Sequence, residues 1–335
     1  MNIKNKSVLV LTNSKDGPRT DEVISKLQEK GEQVFRFDTD RLQGGQLNFE
    51  FHVDNNSCGF EMRNTNTLET ITSDEIKSVW YRRPNQFNLN ITDSVQKKFA
   101  EEEIRYGLEG MWLALPLVFW LSNPHNIERA RKKLFQLSVA RNIGFIVPQT
   151  LVTNSPDEVK EFLQTCHGKM IFKTIKQGFL DYGDRGFNIP TTLVTEKHIE
   201  NIGLVQSSPC LFQECIEKEY ELRITMVGTK IFAIRIDSQV HPDTSVDWRN
   251  PKFIDSLNYS LVKLPDNIET MCHVMMQKLD LKFGAFDLAV NRQGKYMFFE
   301  VNPNGQWYWI ERNTGACISD AIADILSSVQ THEGR

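Results

Sequence analysis

The 335-residue sequence has no cysteine or histidine pattern that is typical of a metal or disulfide framework. Its six cysteines include no Cys-x-x-Cys pair, and its seven histidines include no His-Glu-x-x-His motif. A structural zinc site or a disulfide-rich scaffold is therefore not expected. The expectation is instead a cytoplasmic protein with reduced, buried thiols.

Long hydrophobic runs and an excess of positive charge are also missing. The apolar stretch Met111–Leu121 is too short to span a membrane and contains a proline. The N-terminus lacks the long apolar region and the small-residue cleavage site of a signal peptide. The net charge of −4 gives no basic footprint for nucleic acid. The sequence therefore supports neither a membrane-spanning nor a nucleic-acid-binding protein.

Two glycine-rich nucleotide motifs are absent as well. The loop after the first predicted strand has no Gly-x-Gly-x-x-Gly, and no Gly-Lys-Ser/Thr follows the glycines of Gln177–Gly186. The sequence does have an ordinary globular composition, with 40% hydrophobic and 24% charged residues. A chain of this length can form two or three packed subdomains.

The first part of the chain predicts a small parallel α/β unit. Ser7–Thr12 is a short buried strand, Thr20–Lys30 is a helix ended by Gly31, and Gln33–Asp38 is a second strand. Four further elements are predicted before Pro124: strands at Gln46–Val53, Gly59–Arg63 and Ser78–Tyr81, and a long helix at Thr92–Leu121.

The remaining chain mixes helical and strand patterns. The predicted helices are Asn126–Asn142, Glu158–Cys166, Thr195–Ile202, Asn267–Leu279 and Ser319–Ser328, with a disordered tail after the last. The predicted strands are Met170–Thr174 and the hairpin Tyr220–Val227 with Lys230–Ser238.

The stretch Gly284–Trp307 predicts two strands around a turn and carries the strongest chemical signal. A hairpin centred on the turn places Asp287 opposite Glu300, with Asn302 on the same face. Two carboxylates across a strand pair lie only ~5 Å apart and repel each other. A Mg²⁺ ion that also holds phosphate oxygens would offset that repulsion. The alternative is a solvated edge hairpin, which the apolar flanking residues do not favour.

A lysine and a glycine-rich segment follow each other in the middle of the chain. Lys173 lies among apolar residues in MIFKT, and a buried lysine needs a partner. The segment Gln177–Gly186 contains Gly178, Gly183 and Gly186. Its glycines permit a mobile loop whose backbone amides could cover phosphate groups.

Several arginines leave two interpretations open. Arg223 shares a strand face with Glu221, and Arg235 shares a face of the partner strand with Asp237. They form either structural ion pairs with these carboxylates or a fork for a phosphate or a carboxylate substrate. In Trp80-Tyr81-Arg82-Arg83-Pro84, the paired arginines bind either an anion or nearby acidic side chains.

These motifs resemble a known family. Asp287 followed by Glu300-Val301-Asn302-Pro303 resembles the metal-binding signature of the ATP-grasp carboxylate ligases. The continuation Asn304-Gly305-Gln306-Trp307, and the segment Trp80–Pro84, resemble the microviridin-type peptide macrocyclases, or graspetide synthetases. The resemblance covers about residues 123–326.

The resemblance implies an α/β (α+β) fold of the ATP-grasp type. It implies an N-terminal parallel α/β pre-ATP-grasp domain at 1–122, a central ATP-grasp subdomain at 123–215 and a C-terminal subdomain with the metal and phosphate site at 216–330. By the same match, Cys210–Ile216 is the hinge strand that binds the adenine edge.

The resemblance also implies roles for individual residues. ATP would be bound by Lys133, Lys173, Gly178, Gly183, Gly186, Glu214, Ile216 and Glu221, and Mg²⁺ by Asp287, Glu300 and Asn302. Catalysis would depend on Arg223, Arg235, Asp247 and Arg249, where Asp247-Trp248-Arg249 looks like the family's DxR element. The substrate peptide would meet Arg83 and Glu196, the latter by pairing with a leader arginine.

The implied function is macrocycle formation in a ribosomal precursor peptide with a leader and an acidic, Thr-rich core. ATP would activate Asp or Glu side chains as acyl phosphates, which Ser/Thr hydroxyls or Lys amines then attack. A homodimer is expected from the resemblance. The alternatives are a ligase that adds free amino acids to a protein or small acid, and a nucleotide-binding module without catalysis. The presence of all three metal ligands and both lysines disfavours the latter.

Overall fold

The computed structural model describes residues 6–42, 45–84, 87, 89–115, 118–176, 178–181 and 186–328. The chain forms two compact units, one made of Met1–Pro124 with Cys317–Arg335 and the other of His125–Ala316. The mixture of helices with parallel and antiparallel sheets confirms the predicted α/β (α+β) class. The predicted boundary at residue 215 stays a prediction, and the predicted tail after Ser328 lies outside the described residues.

The first unit contains a parallel sheet and an antiparallel one. Its elements are β1 (Ser7–Thr12), α1 (Gly17–Glu29), β2 (Val34–Asp38), β3 (Leu47–Val53), β4 (Cys58–Asn64), β5 (Thr70–Thr72), β6 (Ile76–Tyr81), α2 (Ser94–Leu113) and β7 (Phe119–Leu121), joined by the late helix α10 (Ile318–Ser327). The parallel strand order is β2-β1-β6-β7, and β3, β4 and β5 form the antiparallel meander. The predicted parallel α/β unit is thus confirmed.

The parallel sheet is buried because its first strand is apolar on both faces. Val8, Leu9, Val10 and Leu11 have no exposed surface, as expected where helices cover a parallel sheet. The closing helix α10 packs on α1 and β6, and the Ser78 hydroxyl donates to the Leu326 carbonyl at 2.9 Å. The helix α10 therefore completes the first unit.

The long helix predicted at Thr92–Leu121 is wrong after Leu113. The helix α2 ends at Leu113, and Phe119–Leu121 forms β7 beside β6. Pro116 in the sequence explains why the helix cannot continue, since proline lacks the N–H donor that a helix interior needs.

The described strands of the second unit form three antiparallel sheets, one of them only a two-stranded pair. Its elements are α3 (Pro124–Ala130), α4 (Lys133–Ile143), β8 (Thr150–Thr153), α5 (Pro156–Thr165), β9 (Met170–Lys173), β10 (Phe179–Asp181), β11 (Gly186–Asn188), β12 (Thr192–Leu193), α6 (Glu196–Glu200), β13 (Cys210–Glu214), β14 (Lys218–Val227), β15 (Lys230–Ile236), α7 (Pro242–Ser245), β16 (Tyr259–Leu261), α8 (Asp266–Leu279), β17 (Phe283–Asn291), β18 (Tyr296–Asn302) and α9 (Tyr308–Thr314). The smaller sheet has the order β12-β9-β13-β8 and the larger β16-β15-β14-β17-β18, while β10 and β11 pair with each other.

The single helix predicted at Asn126–Asn142 is broken in the structure. It is divided into α3 and α4, and Lys132 between them has an extended backbone. The buried side-chain amide of Gln136 explains the break, because it donates to the carbonyls of Ala130 and Val301 and accepts from the Val301 N–H. The break places Lys133 at the first turn of α4, next to β18.

Two sequence expectations concern the chain as a whole. All six cysteines lie within the described residues and are free thiols. The expectation that they are buried holds only for Cys166 and Cys272, since Cys58 and Cys317 are exposed. Among the described helices, none is both long enough and apolar enough to cross a membrane.

Candidate active site

The two carboxylates at the centre of the larger sheet face each other as predicted. Asp287 on β17 pairs directly with Glu300 on β18. Nearer the turn, however, the register is shifted, since Leu288 pairs with Phe298 and Phe299 is left unpaired. A β-bulge of this kind inserts one residue into one strand. Without it Asp287 would pair with Phe299, so the bulge creates the carboxylate pair.

Asn302 lies between the two carboxylates. Its Nδ2 donates to Asp287 Oδ2 at 3.0 Å and to Glu300 Oε1 at 3.2 Å. The amide donor therefore occupies the place between two anions where a cation would be stabilised. Turned by half a rotation, the same amide offers its oxygen, so the three residues supply the oxygen donors that Mg²⁺ prefers.

The donor set suits an ion that is only partly held by protein. Among the described residues, no group of three or more His, Cys, Asp or Glu side chains is placed to bind a metal. Two carboxylates and an amide leave positions open for water and for phosphate oxygens, which is how Mg²⁺ is commonly bound with nucleotides. The residues present therefore fit Mg²⁺ together with a phosphorylated ligand.

Arg223 on β14 completes the row of charges across three strands. It pairs with Asp287 in the strand register, and its Nη1 donates to both Asp287 oxygens at 2.8 and 2.9 Å. Its Nη2 donates to the Gln306 carbonyl at 3.2 Å. Burial raises the pKa of Asp287, and the charge of Arg223 opposes that rise. The pair is buried, so each charge depends on the other.

The loop after β18 lies against the row of charges formed by Arg223, Asp287 and Glu300. A Cβ on Gly305 would collide with the Cβ of Ala285 and lie 2.8 Å from Arg223 Nη2. Only glycine permits this approach, because it has no side chain. The motif Asn304-Gly305-Gln306-Trp307 stands out in the sequence. The sequence alone could not show, however, that Gly305 approaches Ala285 of β17 and Arg223 of β14.

Three cations surround Glu300. Lys133 Nζ lies 3.7 Å from Oε2, Arg249 Nη1 lies 4.0 Å from Oε1, and Lys173 acts from a greater distance. Burial raises the pKa of Glu300, but these cations together lower it to about 2. Glu300 is thus a carboxylate that stays ionised in a strongly positive environment.

The two predicted nucleotide lysines converge from different elements. Lys133 on α4 also donates to the Thr174 carbonyl at 2.8 Å, which joins it to the end of β9. Lys173, on β9, places its amine 4.6 Å from the centre of the Phe299 ring, in a cation–π contact with the bulged residue. Burial lowers the pKa of Lys173 to about 8. The site therefore has positive charge without a matching number of carboxylates.

Asp247 holds Arg249 in a fixed orientation. Arg249 Nε and Nη2 donate to the two Asp247 oxygens at 2.8 and 2.9 Å, and the backbone Thr191 N–H donates to Asp247 at 3.3 Å. Burial raises the pKa of Asp247, but these bonds lower it to about 2. The Arg249 side chain remains 54% exposed. The Arg249 guanidinium is thus oriented by Asp247, and part of the side chain stays accessible to a ligand.

Glu221 is buried two residues before Arg223 and has a partner that sequence reasoning missed. Lys218 Nζ donates to Glu221 Oε1 at 2.7 Å and to the Val246 carbonyl at 3.0 Å. Lys218 and Glu221 are three residues apart, which in a regular strand would place them on opposite faces. A register shift between Lys218 and Tyr220 brings them to one face.

The remaining predicted nucleotide residues lie on the smaller sheet and its hairpin. Glu214 ends β13, and its N–H donates to the Gln149 carbonyl at 3.0 Å, whereas Ile216 follows the strand and is half-buried. Gly178 precedes β10, where a Cβ would lie 2.6 Å from the Ile189 carbonyl oxygen. Gly186 begins β11 and is exposed. Gly183 lies outside the described residues.

Two predicted residues of the second unit are not part of the charge cluster. Arg235 pairs with Leu222 in register, so it lies on the opposite sheet face from Arg223. There it donates to Asp237 at 2.7 Å and stacks 4.0 Å above the Tyr220 ring. Glu196 is exposed at the start of α6.

Arg83 lies in the first unit, next to a buried ion pair. Its carbonyl accepts from Asn13 Nδ2 at 2.6 Å. The neighbouring Arg82 is fully buried with its Nε 3.0 Å from Asp16, and burial lowers the pKa of Arg82 to about 9. One arginine of the predicted pair is therefore a structural ion-pair member.

The fold and the charge cluster together define an ATP-dependent ligase of the ATP-grasp class. Residues 7–128 match the family described as the MvdD pre-ATP grasp domain. The structure is similar to macrocyclase MdnC from Microcystis aeruginosa MRC, bound with precursor peptide MdnA, with a TM-score of 0.85 and 30% identity over 96% of this chain and 99% of that chain.

Two other solved structures are similar over almost the whole chain. Macrocyclase MdnB from Microcystis aeruginosa MRC has a TM-score of 0.81 and 31% identity over 96% of this chain and 99% of that chain. A RiPP-associated ATP-grasp ligase of Chryseobacterium gregarium, in complex with ADP and a leader and core peptide, has a TM-score of 0.88 and 28% identity over 98% and 99% of the two chains. Comparison with curated protein sequences finds no match.

This chain belongs to the ATP-grasp peptide macrocyclases. The recognition made from Asp287, Glu300, Asn302 and the residues that follow them is confirmed by this similarity, as is the predicted ATP-grasp fold.

Proposed function

We propose that this protein uses ATP and Mg²⁺ to close macrocycles in a ribosomal precursor peptide. The observation that carries the proposal is the charge cluster on one face of the larger sheet. There Asp287, Glu300 and Asn302 are in contact, and Arg223, Lys133 and Arg249 lie within 4.0 Å of the two carboxylates. Such a cluster suits phosphoryl transfer, which depends chiefly on positioning and charge stabilisation.

The proposed chemistry has two steps. An Asp or Glu side chain of the peptide takes the terminal phosphoryl group of ATP, which releases ADP and forms an acyl phosphate. A Ser or Thr hydroxyl, or a Lys amine, then attacks the acyl carbon, so that phosphate leaves and an ester or amide bond forms. The attacking group loses one proton, and the net change in the peptide is the loss of one water.

Different parts of the cluster take different roles in this scheme. Asp287, Glu300 and Asn302 would hold Mg²⁺, which would neutralise phosphate charge. Lys133 and Lys173 would hold the nucleotide phosphates, and Gly178, Gly183 and Gly186 keep the phosphate-binding role that the resemblance implies. The phosphate-binding role is supported by an excess of positive charge, because three cations face the single carboxylate of Glu300.

The arginines of the cluster are proposed to act on the transferred group. Arg249 is suited to bind the phosphoryl group or the peptide carboxylate, because its fork is held by Asp247 while its side chain stays half exposed. Arg223 is proposed to stabilise the same charge from the buried side, next to Asp287. No protein nucleophile is needed, since the acyl phosphate is already activated.

The adenosine part of ATP is proposed to bind between the smaller sheet and β14. Glu214 and Ile216 would meet the adenine edge through their backbone, and Glu221 would accept the ribose hydroxyls. Glu221 lies on the same strand face as Arg223, two residues away. The nucleotide would then run along β14 from ribose to phosphate.

The peptide partner is proposed from the relatives. MdnC was solved with precursor peptide MdnA, and the Chryseobacterium enzyme with a leader and a core peptide. We extend this to a precursor with a leader and an acidic, Thr-rich core, with Glu196 pairing with a leader arginine and Arg83 meeting an acidic residue. A homodimer and a cytoplasmic location stay predictions, the latter supported by six free thiols.

The proposal is tested by incubating the purified protein with ATP, Mg²⁺ and a candidate precursor. The first candidate is a short neighbouring reading frame that encodes a peptide rich in Thr, Asp and Glu, and MdnA serves as a second probe. Mass spectrometry should show the loss of one water per ring together with equimolar ADP. Addition of free amino acids would raise the mass instead and would replace the proposal. The matched control is Glu300→Gln, which should give no product.

A further inference from the structure

Lys218 is a buried cation that the proposed chemistry does not use. It begins β14, and its amine makes hydrogen bonds to the Glu221 carboxylate at 2.7 Å and the Val246 carbonyl at 3.0 Å. Both Lys218 and Glu221 are more than nine-tenths buried. Burying an ammonium group without good partners costs free energy. Lys218 therefore cannot be explained as a lysine solvated at the surface.

The β-bulge in β14 makes the contact possible. Lys218 pairs with Asn291 and Tyr220 with Val290, which leaves Glu219 as the extra residue. The extra residue turns Lys218 to the face that carries Glu221 and Arg223. Bulges of this kind often re-aim a side chain near an active site. Here the re-aimed side chain is the amine that contacts Glu221.

The charges that face Glu221 come from several elements. Lys218 lies on its own strand, the Ser238 hydroxyl follows β15, and Asp247 belongs to the segment after α7. Lys173 of β9 is close enough to Lys218 for the two amines to repel each other. Burial raises the pKa of Glu221, Lys218 and Ser238 oppose this rise, and Asp247 adds to it. Lys218 is therefore the cation that opposes the effect of burial on Glu221 and offsets part of it.

We propose that Lys218 is a positioning residue that keeps the Glu221 carboxylate ionised and oriented to accept the ribose hydroxyls of the nucleotide. The inference rests on the proposed function, in which Glu221 binds ribose. The second bond of Lys218, to the carbonyl of Val246, fixes the residue just before Asp247. The same amine thus connects the ribose carboxylate to the segment that carries Arg249.

The test measures how well the protein distinguishes ADP from 2′,3′-dideoxy-ADP at each pH from 6 to 9, in the presence of Mg²⁺. The ratio of the two dissociation constants reports only the hydroxyl contacts, because phosphate and Lys173 titrations affect both ligands equally. In the wild-type protein the ratio should be high at pH 7 and above. In Lys218→Met it should fall about tenfold at the acid end, where a neutral carboxyl replaces a charge-assisted acceptor. It should recover toward the alkaline end as Glu221 ionises.

Three further variants make the result specific. Glu221→Gln should show the low ratio at every pH, and Lys218→Arg should retain the wild-type profile because it keeps the charge. Lys169→Met is the matched control, since Lys169 pairs with Glu217 at 2.6 Å on the surface. Should Lys218→Met fail to fold, Lys218→Gln keeps a donor toward Glu221 and should show the same loss at low pH.

Two results would overturn the inference in distinguishable ways. A neutral variant of Lys218 with a high ratio at every pH would show that the lysine does not control Glu221. A ratio near one in the wild-type protein would remove the ribose role of Glu221 itself. The first result leaves the macrocyclase proposal standing, because ring formation is measured separately by the mass of the peptide product.

Discussion

Replacing Asp287 with asparagine should destabilise the protein even without nucleotide or metal. Arg223 donates to both Asp287 oxygens, at 2.8 and 2.9 Å, and its side chain is only 9% exposed. In Asp287→Asn the guanidinium keeps the Gln306 carbonyl and at most one amide oxygen as acceptors. Its positive charge is then buried without a counter-charge.

The size of the effect follows from the geometry. Removing one partner of a buried ion pair typically costs about 3–5 kcal/mol. Because asparagine retains one acceptor for Arg223 and no longer repels Glu300, we expect the lower end, about 3 kcal/mol. At about 2–4 °C per kcal/mol, the melting temperature should fall by about 6–12 °C. Thermal unfolding followed by circular dichroism or calorimetry, in nucleotide-free buffer with a chelator, measures this directly.

A double-mutant cycle tests the cause. Combining Asp287→Asn with Arg223→Met removes both charges, so the double variant should be more stable than Asp287→Asn alone. Glu217→Gln breaks an exposed pair with Lys169 and should change the stability by less than about 1 kcal/mol. An unchanged melting temperature in Asp287→Asn, or strictly additive effects in the cycle, would refute the reasoning.

Three further outcomes are expected. Because burial lowers the pKa of Lys173 to about 8, ADP affinity should fall as the pH rises above that value and the amine loses its proton. Lys173→Arg should abolish this fall, and calorimetric titration measures both proteins. Gly305→Ala should lose most ring-forming activity, since its Cβ would collide with Ala285 and lie 2.8 Å from Arg223; activity within twofold of wild type would contradict the close approach. Arg249→Gln should keep ADP affinity while ring formation stops, as measured by titration beside product mass, and an unchanged product yield would reject its role.

The carboxylate pair shows how far the sequence alone could lead. Alternation along Phe286–Asn291 and Tyr296–Asn302 correctly predicted two strands and a pairing of Asp287 with Glu300. The bulge at Phe299 that permits this pairing was not predictable from alternation. The bulged residue contacts a separate element, since the amine of Lys173 lies above the Phe299 ring, and alternation along one hairpin carries no information about such a contact.

The same limit explains what was missed or misplaced. Lys218 could not be assigned to Glu221, because a spacing of three predicts opposite faces of a strand and the bulge after it is a tertiary feature. The helix break before Lys133 depends on Gln136, whose amide bonds to Val301 far along the chain. Propensity and periodicity are local, and contacts of this kind override them.

The chain order of the first unit has a consequence for biosynthesis. Its closing helix, α10, is made after the whole of His125–Ala316, so a nascent chain cannot cover α1 and β6 until residues 318–327 have been synthesised. At about 5–20 residues per second, the ribosome needs about 10–40 seconds for the intervening segment. During that interval the apolar surface that will receive Ile322 and Leu326 stays open to chaperones. A fragment cut at the end of the family match, at residue 128, would keep that surface exposed permanently.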